Sequence, residues 1–257
     1  MVTMSKPGYV PVNEIFGPTI QGEGPFTGRP CVFLRLHHCP VGCPGCDTHY
    51  TWDGSEQANR MTIEDVEKKI GEIVIQYPGC GLVVSGGEPL LYWKMDALNK
   101  MINDFRYHLP FTSVETSGFC GVPLSRAAVM NWGLCFTSVA LSPKVTPCLH
   151  GGWADDRLLE NVLVMLDALE DKVFLKFVAR DEKDIRAIDG VMGHIRNNYA
   201  ALHNGQVYHR PVYVMPYGVE RDEVVDTSKR LIPMLAERGY VLSARVHTLL
   251  WGKQRGV

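Results

Sequence analysis

The feature that most constrains this chain is the run Cys39-Pro40-Val41-Gly42-Cys43-Pro44-Gly45-Cys46, followed by Asp47-Thr48. Soft thiolates crowded into one short loop call for a metal ion or a cluster. The other five cysteines, Cys31, Cys80, Cys120, Cys135 and Cys148, are scattered. Eight cysteines at uneven spacing in 257 residues are too few for a disulfide framework. That pattern favours a reducing compartment, with the loop binding metal and the rest serving as small buried hydrophobes. A structural zinc site wants four protein ligands, and the fourth would be His37, His38 or His49. A [4Fe-4S] cluster held by three thiolates would instead leave one iron open for a small molecule. The cysteine spacing alone leaves both readings open.

Length is compatible with one α/β domain over residues 1–257. Net charge is -2, so no broad basic field argues for nucleic acid. Apolar runs are too short for a membrane helix. Met1 to Lys6 has no apolar segment behind it and does not read as a secretory signal, so a cytoplasmic location is expected. The stretch Pro7 to Gly28, rich in glycine and proline, reads as a loop. It carries Gln21 and Glu23 between glycines, which let a backbone approach a ligand closely.

From Cys31 onward the chain alternates between strands and helices. Strands are expected at Cys31–Leu36, Leu82–Val84, Phe111–Thr116, Cys135–Leu141, Val173–Val178, Val212–Met215 and Tyr240–Val246. Apolar residues at helical spacing mark the intervening helices, the first capped by Thr62 with Asp65 three residues on. Pro143 to Asp156 reads as a surface loop. Such alternation calls for a parallel sheet with right-handed crossovers. About six βα units are too few for a closed eight-stranded barrel. The expected fold is therefore a partial (β/α)6 barrel with an N-terminal substrate loop and a C-terminal extension. Unusual polar motifs follow successive strands: the cysteines, Ser85 to Pro89, Glu115 to Gly118, Ser142 to Lys144, and Pro216 to Gly218. In barrel-like α/β folds that rim builds the active site.

The CX3CX2C spacing, with Ser85-Gly86-Gly87-Glu88-Pro89 after the second strand, resembles the radical S-adenosylmethionine superfamily. Within it, Phe16-Gly17-Pro18-Thr19-Ile20-Gln21-Gly22-Glu23-Gly24, Phe33-Leu34-Arg35-Leu36, Cys46-Asp47-Thr48 and the ending near Arg245-Val246-His247 resemble the 7-carboxy-7-deazaguanine synthase family. The likeness runs along nearly the whole chain. It implies conversion of 6-carboxy-5,6,7,8-tetrahydropterin to 7-carboxy-7-deazaguanine with loss of ammonia, in queuosine and deazapurine biosynthesis. It also implies Mg2+ dependence, a homodimer, and an electron donor such as flavodoxin or ferredoxin.

The resemblance assigns the [4Fe-4S] cluster to Cys39, Cys43 and Cys46, and Mg2+ to Thr48. It assigns S-adenosylmethionine to Gly45, Cys46, Asp47, Gly87, Glu88, Ser117, Ser142, Pro143, Lys144, Met215, Pro216, Tyr217 and Gly218. Ile20, Gln21, Gly22, Glu23, Arg35, Ser85 and His247 would meet the pterin. Arg35 also stands out by itself, because an arginine inside an apolar strand must find a partner. Gly45 stands where the family often has an aromatic residue, which leaves Tyr50 or Trp52 to shield the cluster. Ser117 stands where asparagine is common. The rival readings are a glycyl-radical-enzyme activase and a zinc-binding interaction module.

Overall fold

The computed structural model describes residues 8–147 and 156–257. Met1 to Lys6, Cys148 and most of the expected Pro143–Asp156 loop lie outside the described residues. Among the described residues nine strands form one sheet: β1 (Tyr9–Ile20), β2 (Pro30–Leu36), β3 (Asn59–Thr62), β4 (Gly81–Gly86), β5 (Thr112–Thr116), β6 (Ser138–Leu141), β7 (Val173–Ala179), β8 (Val212–Pro216) and β9 (Val241–Leu242). Their order is β3-β1-β2-β4-β5-β6-β7-β8-β9, so the sheet is open, as a partial barrel requires. Neighbours from β2 to β9 run parallel, whereas β1 is antiparallel to both β2 and β3.

Helices α1 (Ile63–Gln76), α2 (Asp96–His108), α3 (Arg126–Gly133), α4 (Asp156–Leu169), α5 (Glu182–Leu202) and α6 (Arg221–Arg238) lie between successive parallel strands, and α7 (Val246–Trp251) follows β9. The expected cap is present: the Thr62 hydroxyl accepts from the Asp65 amide at 3.1 Å, meeting one of the orphan donors of the first turn. Val66 and Ile70 then face the core from α1. In β4 every residue from Gly81 to Ser85 is buried, as in a parallel strand covered on both faces.

Three expectations need correction. The N-terminal loop is instead largely strand, because β1 takes up Tyr9 to Ile20. Its register slips between Val12 and Glu14 and between Phe16 and Thr19. The second slip holds Gly17-Pro18, at a point where β1 has β2 as partner and β3 has already ended. Bulges and unpaired edges are where a sheet tolerates glycine and proline. The second correction is β3, which escapes a sequence reading because Asn-Arg-Met-Thr has no apolar alternation. Third, the last strand pairs only over Val241–Leu242. Past Ser243 the chain leaves the sheet, and the Val246 amide donates to Gly22 O at 3.0 Å. The C-terminal segment is thereby drawn against the end of β1.

Candidate active site

The cysteine loop and the ends of β1, β2, β4, β5, β6 and β8 face one cavity of about 900 Å³. His38, in a left-handed conformation at φ 67°, turns the chain out of β2 into the loop. The Cys46 amide donates to Cys43 O at 3.1 Å and closes the turn. Cys39, Cys43 and Cys46 all line the cavity, and among the described residues no other cysteine does. Burial pushes the Cys39 thiol up to about 12 and raises that of Cys43 as well. Thiolates here therefore need a strongly cationic partner. Three soft ligands facing an open cavity fit a cluster with one iron left for a small molecule. Trp52 packs over this loop, since a Cβ on Gly42 would lie 3.6 Å from its ring. Tyr50 turns the other way, toward Glu14.

Gly87 is dictated by packing. A Cβ there would sit 2.0 Å from His38 O, so only glycine lets the end of β4 rest against the turn that launches the cysteine loop. The next amide, of Glu88, donates to that same carbonyl at 2.7 Å. Glu88 is buried. Its Oε1 accepts from Leu90 N at 2.9 Å and Thr116 Oγ1 at 2.5 Å, and its Oε2 from Ser117 N at 2.7 Å and Ser117 Oγ at 2.5 Å. Those four donors use the acceptor capacity of a carboxylate. Burial pushes the Glu88 carboxyl up, while the hydroxyls of Ser117 and Thr116 pull it back. The side chain thus ties β4 to β5. Ser142 N donates to Thr116 O at 2.7 Å and Lys144 Nζ to Ser142 Oγ at 2.9 Å, which extends the lacing to β6.

The floor of the cavity is a charged network. Lys176, in the middle of β7, donates to Glu23 Oε2 at 2.5 Å and lies 3.7 Å from Glu115 Oε1. Glu115 Oε1 also accepts from Gln21 Nε2 at 3.1 Å, and its Oε2 from Ser85 Oγ at 2.8 Å. The Gln21 Oε1 accepts from the Glu23 amide at 3.2 Å. Arg245 reaches three places: Asp47, Gly218 O, and Glu23 Oε1 at 3.5 Å. His247 lies 3.8 Å from that same oxygen. Burial alone would raise the Glu23 carboxyl, but Lys176, His247 and Arg245 outweigh it and hold Glu23 well below the usual range. Burial would likewise lower the Lys176 ammonium, and Glu115 and Glu23 together keep it charged.

Most of the residues expected at the site line this cavity: Ile20, Gln21, Glu23, Arg35, Ser85 and His247, and also Gly45, Asp47, Thr48, Gly87, Glu88, Ser117, Ser142, Lys144, Met215 and Tyr217. Gly22, Pro143, Pro216 and Gly218 do not line it. Gly22 supports it by absence of a side chain, since a Cβ would lie 1.9 Å from His247 Nδ1. The Thr48 hydroxyl is 3.4 Å from Cys46 Sγ. Among the described residues no three His, Cys, Asp or Glu side chains gather around a single metal ion. Sequence reasoning missed Lys176, Arg245 and Glu14 and gave Glu115 no role of its own. For Lys176 the signal was available: a lysine inside Val-Phe-Leu-Lys-Phe-Val poses the same partner problem as Arg35.

A family model described as a 4Fe-4S single cluster domain matches residues 20–133. The chain is 30% identical over 250 residues to 7-carboxy-7-deazaguanine synthase of Halobacterium salinarum, covering 94% of this chain and 90% of that protein. It is 31% identical over 208 residues to the Escherichia coli protein of the same name, covering 73% and 80%. The Bacillus subtilis protein of that name is 27% identical over 264 residues, covering 96% and 98%. A crystal structure of QueE from Escherichia coli shares the fold, with TM-score 0.56 and 24% identity over 91% of this chain and 93% of that one. These relatives, together with the match to a 4Fe-4S domain, make the protein a radical S-adenosylmethionine enzyme. On the Halobacterium relationship, the chain belongs to the 7-carboxy-7-deazaguanine synthase family.

Proposed function

We propose that this protein converts 6-carboxy-5,6,7,8-tetrahydropterin to 7-carboxy-7-deazaguanine with release of ammonia. The reaction would be a Mg2+-dependent carbon–nitrogen lyase step on the way to queuosine and related deazapurines. The observation that carries this reading is the cavity itself, lined at once by Cys39, Cys43 and Cys46, by the charged floor of Glu23, Glu115 and Lys176, and by Arg35.

Cys39, Cys43 and Cys46 would hold the cluster, which together with S-adenosylmethionine would supply radical chemistry to the cavity. The protein's own residues bind, orient and shield. Glu23, held ionised, accepts hydrogen bonds and so suits the N–H edge of a pterin. Gln21 spends both ends of its amide on Glu115 and the Glu23 backbone, which fixes Glu23 in place. Arg35 offers a planar fork to the substrate carboxylate, a geometry that a lysine lacks. Thr48 would hold Mg2+ through its hydroxyl, a hard oxygen donor of the kind this ion takes, and the ion would orient the substrate carboxylate. Lys144 meets the methionine carboxylate, beside Ser117, Ser142, Met215 and Tyr217. An enclosed floor keeps water from the reactive intermediates. Reduction would come from a flavodoxin or ferredoxin, and a homodimer follows from base rates.

Incubation of reduced, cluster-loaded protein with S-adenosylmethionine, Mg2+ and the carboxypterin tests the reading. Formation of 7-carboxy-7-deazaguanine by mass spectrometry supports it, and its absence sinks it. Thr48→Ala should weaken the Mg2+ dependence of turnover; an unchanged Mg2+ titration would remove Thr48 as a ligand.

A further inference from the structure

Glu14 belongs to β1, and the sheet register sets it directly opposite Arg35 on β2. Glu14 Oε1 accepts from Arg35 Nε at 2.7 Å and from the Tyr50 hydroxyl at 3.0 Å. Among the described residues neither terminal nitrogen of Arg35 has a hydrogen-bond acceptor, although Arg35 lines the cavity. The guanidinium lies 5.6 Å from the centroid of the Phe16 ring, itself stacked on Phe33 at 5.1 Å. Apolar packing beneath and Glu14 at the side therefore leave the two-nitrogen fork as the edge without a hydrogen-bond partner among the described residues, in a side chain that lines the cavity.

The support extends one layer further, into the C-terminal segment. The Arg255 guanidinium lies over the Tyr50 ring at 3.6 Å, and its Nη2 is 3.7 Å from Glu14 Oε2. Its Nη1 donates to Glu56 Oε1 at 2.6 Å. Two cations and a phenol hydroxyl thus surround one carboxylate that has no place in the chemistry proposed above.

We infer that Glu14 is a positioning residue that makes the site selective for a carboxylated ligand. It occupies the Nε edge of Arg35, so that the guanidinium presents its terminal fork to an incoming carboxylate, while Tyr50 and Arg255 hold Glu14 in register. A free Arg35 would turn among several rotamers and lose the bidentate geometry that distinguishes a carboxylate from other polar groups. The inference rests on the reading of the cavity as a carboxypterin site.

The test compares two probes, 6-carboxypterin and pterin, bound to cluster-loaded protein with S-adenosylmethionine and Mg2+ and followed by calorimetry. Wild-type protein should prefer 6-carboxypterin; no preference would overturn the proposed function rather than the role of Glu14. With that preference established, Glu14→Ala should weaken 6-carboxypterin at least about tenfold and leave pterin within about twofold. Glu14→Gln, which keeps an acceptor for Arg35 Nε, should restore most of the preference. Equal loss of both probes, or no loss of either, would overturn the inference. Should Glu14→Ala not fold, Tyr50→Phe carries the test: a smaller drop in the preference, about threefold, supports the role, and an unchanged preference contradicts it.

Discussion

Lys176 has a Nζ held between two carboxylates, and Glu23 and Glu115 would lose it together. Removing one partner of a buried ion pair typically costs about 3–5 kcal/mol, because the remaining charge is stranded. Lys176→Met should lower the urea midpoint accordingly. A second effect follows from proton linkage. Glu23 titrates in the folded protein well below its ordinary value of 4.5. Such a group adds stability that is present above the unfolded value and is lost as pH falls toward the folded one. Wild-type protein should therefore lose stability from Glu23 between about pH 5 and pH 3, and Lys176→Met, whose Glu23 lacks its main counter-charge, should lose less. Parallel slopes for the two proteins in urea unfolding against pH would contradict this. Gly87 acts through contact instead. Gly87→Ala puts a methyl 2.0 Å from a backbone oxygen of the turn before Cys39. Iron content after anaerobic reconstitution should fall clearly below the wild-type value of about four per chain.

At the scale of elements, each helix and parallel strand was legible where an apolar pattern ran without interruption. Thr62 illustrates the local logic. Its hydroxyl caps α1, and Thr62→Ala should cost about 1 kcal/mol of unfolding free energy. A cost near zero in urea unfolding would mean that water satisfies the Asp65 amide equally well. Elements that owe their existence to partners far along the chain were not legible. β1 contains Pro11, Gly17 and Pro18, and it is held in the sheet by β2 and β3 despite its composition. α7 forms where Gly22 O captures the Val246 amide, and no local pattern announces that contact. The same limit governed the site. Cysteine spacing and the Gly-Gly-Glu-Pro run mark the cysteine loop and the end of β4. The carboxylate of Glu88, however, is spent on Thr116, Ser117 and Leu90, and that emerges only when β4 and β5 lie side by side. Arg35 and Lys176 sent the same signal, a cation in an apolar strand, and their partners Glu14, Glu23 and Glu115 became apparent only from strand register and the approach of separate strand ends.

For the whole molecule, the parallel strands deliver their C-terminal ends to one rim, and two segments from the chain's extremities complete the enclosure. β1 brings Gln21 and Glu23, and the segment around α7 brings Arg245 and His247. Arg245 joins both to the cysteine loop through Asp47. The polar floor and the cysteine loop are thereby parts of one charged framework rather than neighbours by chance. On the proposed function, this framework seats a carboxylated pterin between the polar floor and the three-cysteine loop. The most direct measurement is a crystal structure of the cluster-loaded protein with S-adenosylmethionine, Mg2+ and 6-carboxypterin. The ligand carboxylate should lie on the terminal nitrogens of Arg35, on the Thr48 side of the cavity, with the ring edge on Glu23. A carboxylate seated instead on Lys176 or Arg245, with Arg35 turned away from the ligand, would contradict it.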